Sequence, residues 1–361
     1  MKIWKRTLAV ISALSMAAVM TLSGCGGNDG SSGKTESAPA TTVAPTEDIP
    51  ATDVPTTELQ TTEAPTEETS TEEASAPADD TVSPMLWKVQ GEKGNVMYLF
   101  GTIHLGDERN DKVMSLIGDY VDSCDALAVE FDTVAFQSDM NAMTSVMSTL
   151  VYTDGTTAKD HMGDELYQKC VDFLTEEGSF NQIYDYYDDS LWATMVQQAL
   201  ISKSELSLDN AMDTKLLDRA KANGQEILEV ESAEFQFGME KSFSDELVRL
   251  QLKDLFDNQD EFIPSVTLLY QTWLRGNEEE ISQLMADDED TGMTPEEKQL
   301  EEDYHKAMIT DRNIGMAEKA DRWLEDGKNV FFAVGAGHMI NDEGVVKLLA
   351  DKGYTVERIY L

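Results

Sequence analysis

The tetrapeptide Gly-x-x-His occurs twice in this chain, as Gly101-Thr102-Ile103-His104 and as Gly335-Ala336-Gly337-His338. Each copy follows directly on an apolar run, Val96-Met97-Tyr98-Leu99-Phe100 in the first case and Val330-Phe331-Phe332-Ala333-Val334 in the second. Short apolar runs that end on glycine read as buried strands. After each loop come apolar residues at helical spacing, Val113, Ile117, Tyr120 and Val121 in one copy and Val345, Val346, Leu348 and Leu349 in the other. A second strand then follows, Ala126-Leu127-Ala128-Val129 closing on Glu130 in the first copy and residues 355–360 in the second. The same unit of strand, loop, helix and strand therefore stands at both ends of the folded region, which rules out an all-helical or all-β chain. Leu86-Trp87-Lys88-Val89, a Gly91/Gly94 turn and the run from Val96 add a β-hairpin in front.

Between the two units, residues 133–206 and 237–323 carry mostly helical periodicity, broken by one more strand over 225–231 that ends on Glu231 and by a turn at 292–296 before a charged helix. The expected fold is α/β, with a central mixed sheet built from two pseudo-symmetric units and a helical covering layer.

Of the 361 residues, 69 are acidic and 27 basic, a formal charge of −42. So acidic a body repels nucleic acid, and no nucleic-acid partner is expected. The excess is uneven. Residues 1–25 hold Lys2, Lys5, Arg6 and no acid, followed by an apolar run that stops at Leu22-Ser23-Gly24-Cys25. This is the pattern of an export signal ending in a lipobox, too short to span a membrane, with Cys25 as the lipidated residue of the processed chain. Residues 26–83 contain no aromatic residue, and seven of the nine prolines fall at or before Pro84, among Thr and Glu repeats. Such a segment cannot bury enough apolar surface to fold and is expected to be a disordered linker. Residues 84–361 are then the folded domain, held by the Cys25 lipid on the outer face of a membrane.

In an open α/β sheet, loops converge at the strand ends and form the site there. His104, Glu130 and His338 each follow a strand of the repeated unit, and glycine three residues ahead of each histidine is expected to let the chain turn sharply. Two imidazoles and a carboxylate suit a divalent metal with open positions for water and substrate, with manganese, cobalt or zinc as candidates. The same three groups could also act without metal as general base and electrostatic stabiliser. The other histidines, His161 and His305, lie in charged helical stretches and are expected to face solvent. Cys124 and Cys170 are expected to be small buried side chains, and the Tyr184, Tyr186, Tyr187 and Trp192 cluster to be helix packing.

These motifs resemble the TraB/GumN family, relatives of the Tiki metalloproteases and more distantly of ChaN-like and erythromycin-esterase-like folds. The resemblance runs from about Leu86 to Ile359 through Gly101–His104, Ala128-Val129-Glu130, Val230-Glu231-Ser232-Ala233-Glu234-Phe235-Gln236, Asp311-Arg312-Asn313 and Gly335–His338. It implies that His104, Glu130 and His338 are the catalytic and metal-binding residues, with Glu231, Gln236, Arg312, Asn313 and Asp213 around them. Two positions depart from the family pattern. Ala211 stands two residues before Asp213 where the family has Gly, and Asn341 stands three residues after His338 where it usually has Gly; asparagine tolerates the left-handed backbone a glycine would adopt there.

The resemblance implies a metal-dependent hydrolase acting on a peptide or protein substrate. The alternatives are a haem- or iron-binding lipoprotein, or a partner-binding one without catalysis.

Overall fold

The structure is a computed structural model, and it describes residues 81–286 and 292–361. The export signal, Cys25 and the Thr/Pro/Glu-rich linker up to residue 80 lie outside the described residues. The chain begins with the expected hairpin, β1 (Leu86–Gln90) and β2 (Val96–Thr102), and continues through α1 (Arg109–Asp122) into β3 (Ala126–Val129). A helical stretch follows: α2 (Thr133–Ser138), α3 (Met140–Thr149), α4 (Ala158–Met162), α5 (Asp164–Glu176), α6 (Asp189–Ile201) and α7 (Met212–Asn223). After β4 (Glu226–Glu229) a second helical stretch comprises α8 (Ala233–Lys241), α9 (Asp245–Asp257), α10 (Gln259–Arg275), α11 (Glu278–Met285), α12 (Pro295–His305) and α13 (Asp311–Asp326). The chain closes with β5 (Val330–Gly335), α14 (Val345–Asp351) and β6 (Thr355–Ile359).

The six strands form one mixed sheet in the order β4-β3-β5-β2-β1-β6. β1 is antiparallel to both of its neighbours, and the β2–β5, β3–β5 and β3–β4 pairs are parallel. With β1 set aside, the order β3-β5-β2-β6 maps onto itself when the two units are exchanged. The first unit leaves β2, passes its counterpart β5 and ends in β3; the second leaves β5, passes β2 and ends in β6. Such parallel crossovers are right-handed, so opposite directions of travel put their helices on opposite faces. Accordingly α1 packs on α7, and α14 on α13.

β5 is the most central parallel strand in the chain's chemistry as well as its position: Val330 to Val334 are all fully buried. A strand covered on both faces can be apolar at every residue, which is why it reads as an unbroken run. Burying Phe331 or Phe332 in this way contributes roughly 1.5–3 kcal/mol each. The α1 positions Val113, Ile117 and Val121, spaced by four, are likewise fully buried.

Within the helical layer, Trp192 of α6 is fully buried, donates Nε1–H to the Tyr184 carbonyl and packs edge-on to that ring. The aromatic cluster is thus packing, apart from Tyr186, which is 55 % exposed. Cys124 and Cys170 are both free and buried, and burial pushes each thiol up to about 12.

Candidate functional site

The parallel strands β2, β5, β3 and β4 end at the same edge of the sheet. The chain leaves β2 in one direction and β5 in the other, so the crevice between them is the topological switch point at which α/β sheets bind ligands. Thr102 is in register with Gly335, and Val129 with Ala333. His104 lies two residues past β2, Glu130 directly follows β3, and His338 ends a short 3-10 turn, Ala336–His338, after β5. β4 stops at Glu229, short of the expected end at Glu231. The Val230 and Glu231 amides nevertheless still donate to the Val129 and Glu130 carbonyls, which sets Glu231 beside Glu130.

The two glycines of the repeated motif serve a different purpose from the expected one, because neither has a left-handed backbone. They allow close approach instead. A Cβ on Gly101 would stand 2.9 Å from the Ala336 Cα. A Cβ on Gly335 would stand 3.3 Å from Glu130 Oε1, 3.6 Å from the His338 ring and 3.8 Å from His104 Nε2. The bare α-carbon of Gly335 is therefore the point around which His104, Glu130 and His338 gather. Asn341 has φ 69°, the left-handed conformation expected at that position.

The two imidazoles are held by different partners. His104 Nδ1 lies 3.0 Å from Asp213 Oδ2, and the other Asp213 oxygen accepts from Thr102 Oγ1 at 2.8 Å. Asp213 is thus the residue that orients His104, with Ala211 in place of glycine. Burial opposes a charge on His104, but the Asp213 carboxylate, with help from Glu130, raises it to about 9, so it is an imidazolium at neutral pH. His338 Nδ1 lies 2.7 Å from Asn313 Oδ1, and Asn313 Nδ2 donates to the Glu343 carbonyl at 2.8 Å. That second bond fixes the orientation of the Asn313 amide. Its oxygen can only accept, so His338 donates from Nδ1 and carries a lone pair on Nε2. Burial, reinforced by the Arg312 charge, pushes His338 down to about 3 and keeps it neutral.

Glu130 is 7 % exposed and fully engaged. Its Oε1 accepts from the Gly335 amide at 2.9 Å, and its Oε2 from Arg312 Nη2 at 2.7 Å and Gln236 Nε2 at 2.8 Å. Burial works against its charge, yet Arg312 and both histidines hold its carboxyl well below the usual range. Arg312 also grips Glu231 with two bonds, Nε to Oε1 at 2.8 Å and Nη2 to Oε2 at 2.7 Å, and Gln236 reaches Glu231 Oε2 at 2.7 Å. The guanidinium stands at the start of α13, directly after a π-helical turn, Lys306–Thr310, the kind of helix irregularity that recurs at functional sites. The second-tier residues Glu231, Gln236 and Arg312 are in this way one network bracing Glu130.

Several participants had no individual signal in the sequence. Thr102 lies inside the first motif and works through Asp213. Glu240, one helical turn beyond Gln236 on the buried side of α8, is 9 % exposed, and burial raises it to about 8 despite the nearby Arg312 charge. Its place four residues after Gln236 was the available clue. His305 is half exposed and pairs with Glu343 at 3.1 Å. His161 does not face solvent freely: it stacks on Tyr152 at 4.0 Å and bonds Asp245 and Thr156.

A cavity of about 910 Å³ is lined by the three central residues and by Trp273, Ile281, Met285 and Met308. For a divalent ion the two Nε2 atoms would be the donors, His104 after giving up its proton, each with its Nδ1 anchored in the way metal-bound imidazoles are. Glu130 is not a ready third ligand, since its oxygens already accept three hydrogen bonds. Among the described residues, no three of His, Cys, Asp and Glu are placed to hold a metal ion.

Residues 85–358 match the model of the TraB/PrgY/gumN family, and the chain belongs to that family. No curated protein and no solved structure matches it.

Proposed function

We propose that this member of the TraB/PrgY/gumN family is a hydrolase that cuts a peptide or related amide bond in the crevice between β2 and β5. The observation that carries the reading is the pair of imidazoles around one bare α-carbon, one backed by the Asp213 carboxylate and the other by the Asn313 amide oxygen. Environments that push two titratable groups apart assign an acid and a base. His338 Nε2, neutral, takes a proton from a water as that water attacks the carbonyl carbon. His104 Nε2–H, cationic, hydrogen-bonds the carbonyl oxygen as it gains charge and then protonates the departing amine. Asp213 and Glu130 balance the His104 charge throughout, and the Arg312 network keeps Glu130 in place.

Purified chain incubated with a mixed peptide library, with products read by mass spectrometry, tests this. Cleavage that disappears in both His104→Gln and His338→Gln supports it. An intact library, or cutting that survives both substitutions, overturns it.

A second reading is favoured by the anchored Nδ1 atoms of both histidines. His104 and His338 would hold a divalent ion, manganese, cobalt or zinc, through Nε2, beside the remaining acceptor position on Glu130 Oε1. When bound, the ion would polarise the carbonyl and lower the pKa of a water. Metal analysis of the purified chain, and cleavage measured with and without a chelator, separates the two readings. A Soret band on adding haem would instead favour the haem-binding alternative.

The proposed place of action is outside the cytoplasm, tethered through a lipid on Cys25. Cys25→Ser should then shift the chain from the membrane to the soluble fraction or leave it unprocessed, and unchanged partition and processing would argue against the tether.

A further inference from the structure

The walls of the cavity say what kind of segment it can hold. Its inner side is apolar, with Trp273, Ile281 and Met308 nearly or fully buried in the protein and Met285 beside the Gly337 loop. Its outer side carries the carboxylates of Glu279 and Asp342, both exposed. Asp342 follows the left-handed Asn341, and makes no hydrogen bond or ion pair among the described residues. Glu279 has one long contact, from Gln283 Nε2 at 3.4 Å.

The cations tell the complementary story. Two groups of positive charge line the cavity, and each is already committed, Arg312 to Glu130 and Glu231 and His104 to Asp213, while the His305 ring is engaged by Glu343. An anionic ligand would enter past exposed carboxylates and, among the described residues of the lining, find no uncommitted cation to meet it. A cationic one finds Asp342 and Glu279 at the rim, and the net charge of −42 on the whole chain draws it in from a distance.

We infer that the cavity selects a basic, apolar peptide segment, seating a bulky apolar side chain against Trp273 and Met308 and a neighbouring lysine or arginine against Asp342 and Glu279. A volume of about 910 Å³ accommodates a few residues of such a segment with its scissile bond over Gly335. The inference deepens the hydrolase reading, and rests on it for the bond that is cut; the binding preference stands on the cavity itself. Asp342 and Glu279 are specificity residues in this scheme and touch none of the reacting atoms.

The test uses the full chain and three fluorescent, end-blocked heptapeptides. One has a Leu-Phe centre flanked by lysines, the second the same centre flanked by glutamates, and the third a Ser-Ser centre flanked by lysines. Affinity is read by anisotropy at low and high salt, and the same samples are checked for cleavage by mass spectrometry. The first peptide should bind at least about tenfold more tightly than either of the others, with the charge preference shrinking at high salt. In the surface double variant Asp342→Lys with Glu279→Lys, the preference for lysine over glutamate should vanish or reverse. Equal affinities for the first two peptides, no binding of either, or a charge preference unchanged in the double variant would overturn the inference. Equal affinity of the Leu-Phe and Ser-Ser peptides would overturn its apolar half. Tight, charge-selective binding without cleavage leaves the inference standing and removes the hydrolase reading; cleavage of both charge types alike does the reverse.

Discussion

The two Gly-x-x-His loops share a sequence pattern, a position at the end of a parallel strand and a common focus at Gly335, and yet their histidines are chemically opposite. His104 backs onto the carboxylate of Asp213 and is held as a cation, whereas His338 backs onto the amide oxygen of Asn313 and is held neutral. The difference is made one residue behind the ring. A repeated motif can therefore place two identical side chains and leave their roles to be assigned by partners that come from elsewhere in the chain, α7 in one case and α13 in the other.

The largest way to break this comparison is to remove what both halves share. Arg312 is 4 % exposed and bonds two buried carboxylates, so Arg312→Ala leaves Glu231 and Glu130 buried without the guanidinium that pairs both. A loss of about 3–5 kcal/mol in unfolding free energy by urea denaturation is expected; a loss below about 1 kcal/mol would show the network to be solvated. Next, Asp213→Asn gives His104 the same kind of partner as His338. Its pKa, followed by NMR of the imidazole, should fall from about 9 by roughly two units or more, because the charge favouring the imidazolium is gone. An unchanged titration would mean that Asp213 does not set the state of His104. The reciprocal Asn313→Asp should raise His338 from about 3 by roughly one to two units, and move the acid limb of any pH–rate profile upward with it.

A last effect, read as a slope with pH rather than as a single loss, is on the pH dependence of stability through Glu240. Its folded-state pKa, about 8, lies above the ordinary carboxylate value, so the folded chain holds a proton that the unfolded chain releases. The associated stability is present below about pH 4.5 and is lost as pH rises through about 8. Glu240→Gln should flatten the stability curve between those limits by on the order of 1 kcal/mol per pH unit. Parallel curves for the two proteins would show that Glu240 titrates normally.

Much of the sheet could be read from the chain because its strands are of the kind that sequence declares. β5 is apolar at every buried position, and the β1–β2 hairpin is set by the Gly91/Gly94 turn with Leu86 opposite Phe100. The gathering of His104, Glu130 and His338 at one strand edge was also legible, since each follows a strand. What escaped is what depends on approach rather than on pattern. The role of Gly335 shows only when Glu130 and both rings are seen within 4 Å of its missing Cβ. Nothing local to Asp213 announces its bond to His104, which needs only the carboxylate and its helix start. Trp273 carries no local mark of its neighbour, the Gly101 carbonyl that accepts from its Nε1–H.

The sheet order also determines when the site can come into being. β5 lies between β2 and β3 in space but is the second-to-last strand in sequence, so as the chain emerges from N- to C-terminus, β2 and β3 wait with open edges facing a gap. Only residues 330–335 fill it, and only then does His338 arrive beside His104. Pairings between such distant parts of a chain form slowly, and unfilled strand edges are exposed to wrong partners meanwhile. The same order means that a chain cut anywhere ahead of β5 contains one motif histidine and no second, and can neither close the sheet nor assemble the pair. The paired histidines therefore come together only once β5 and the loop after it have been made.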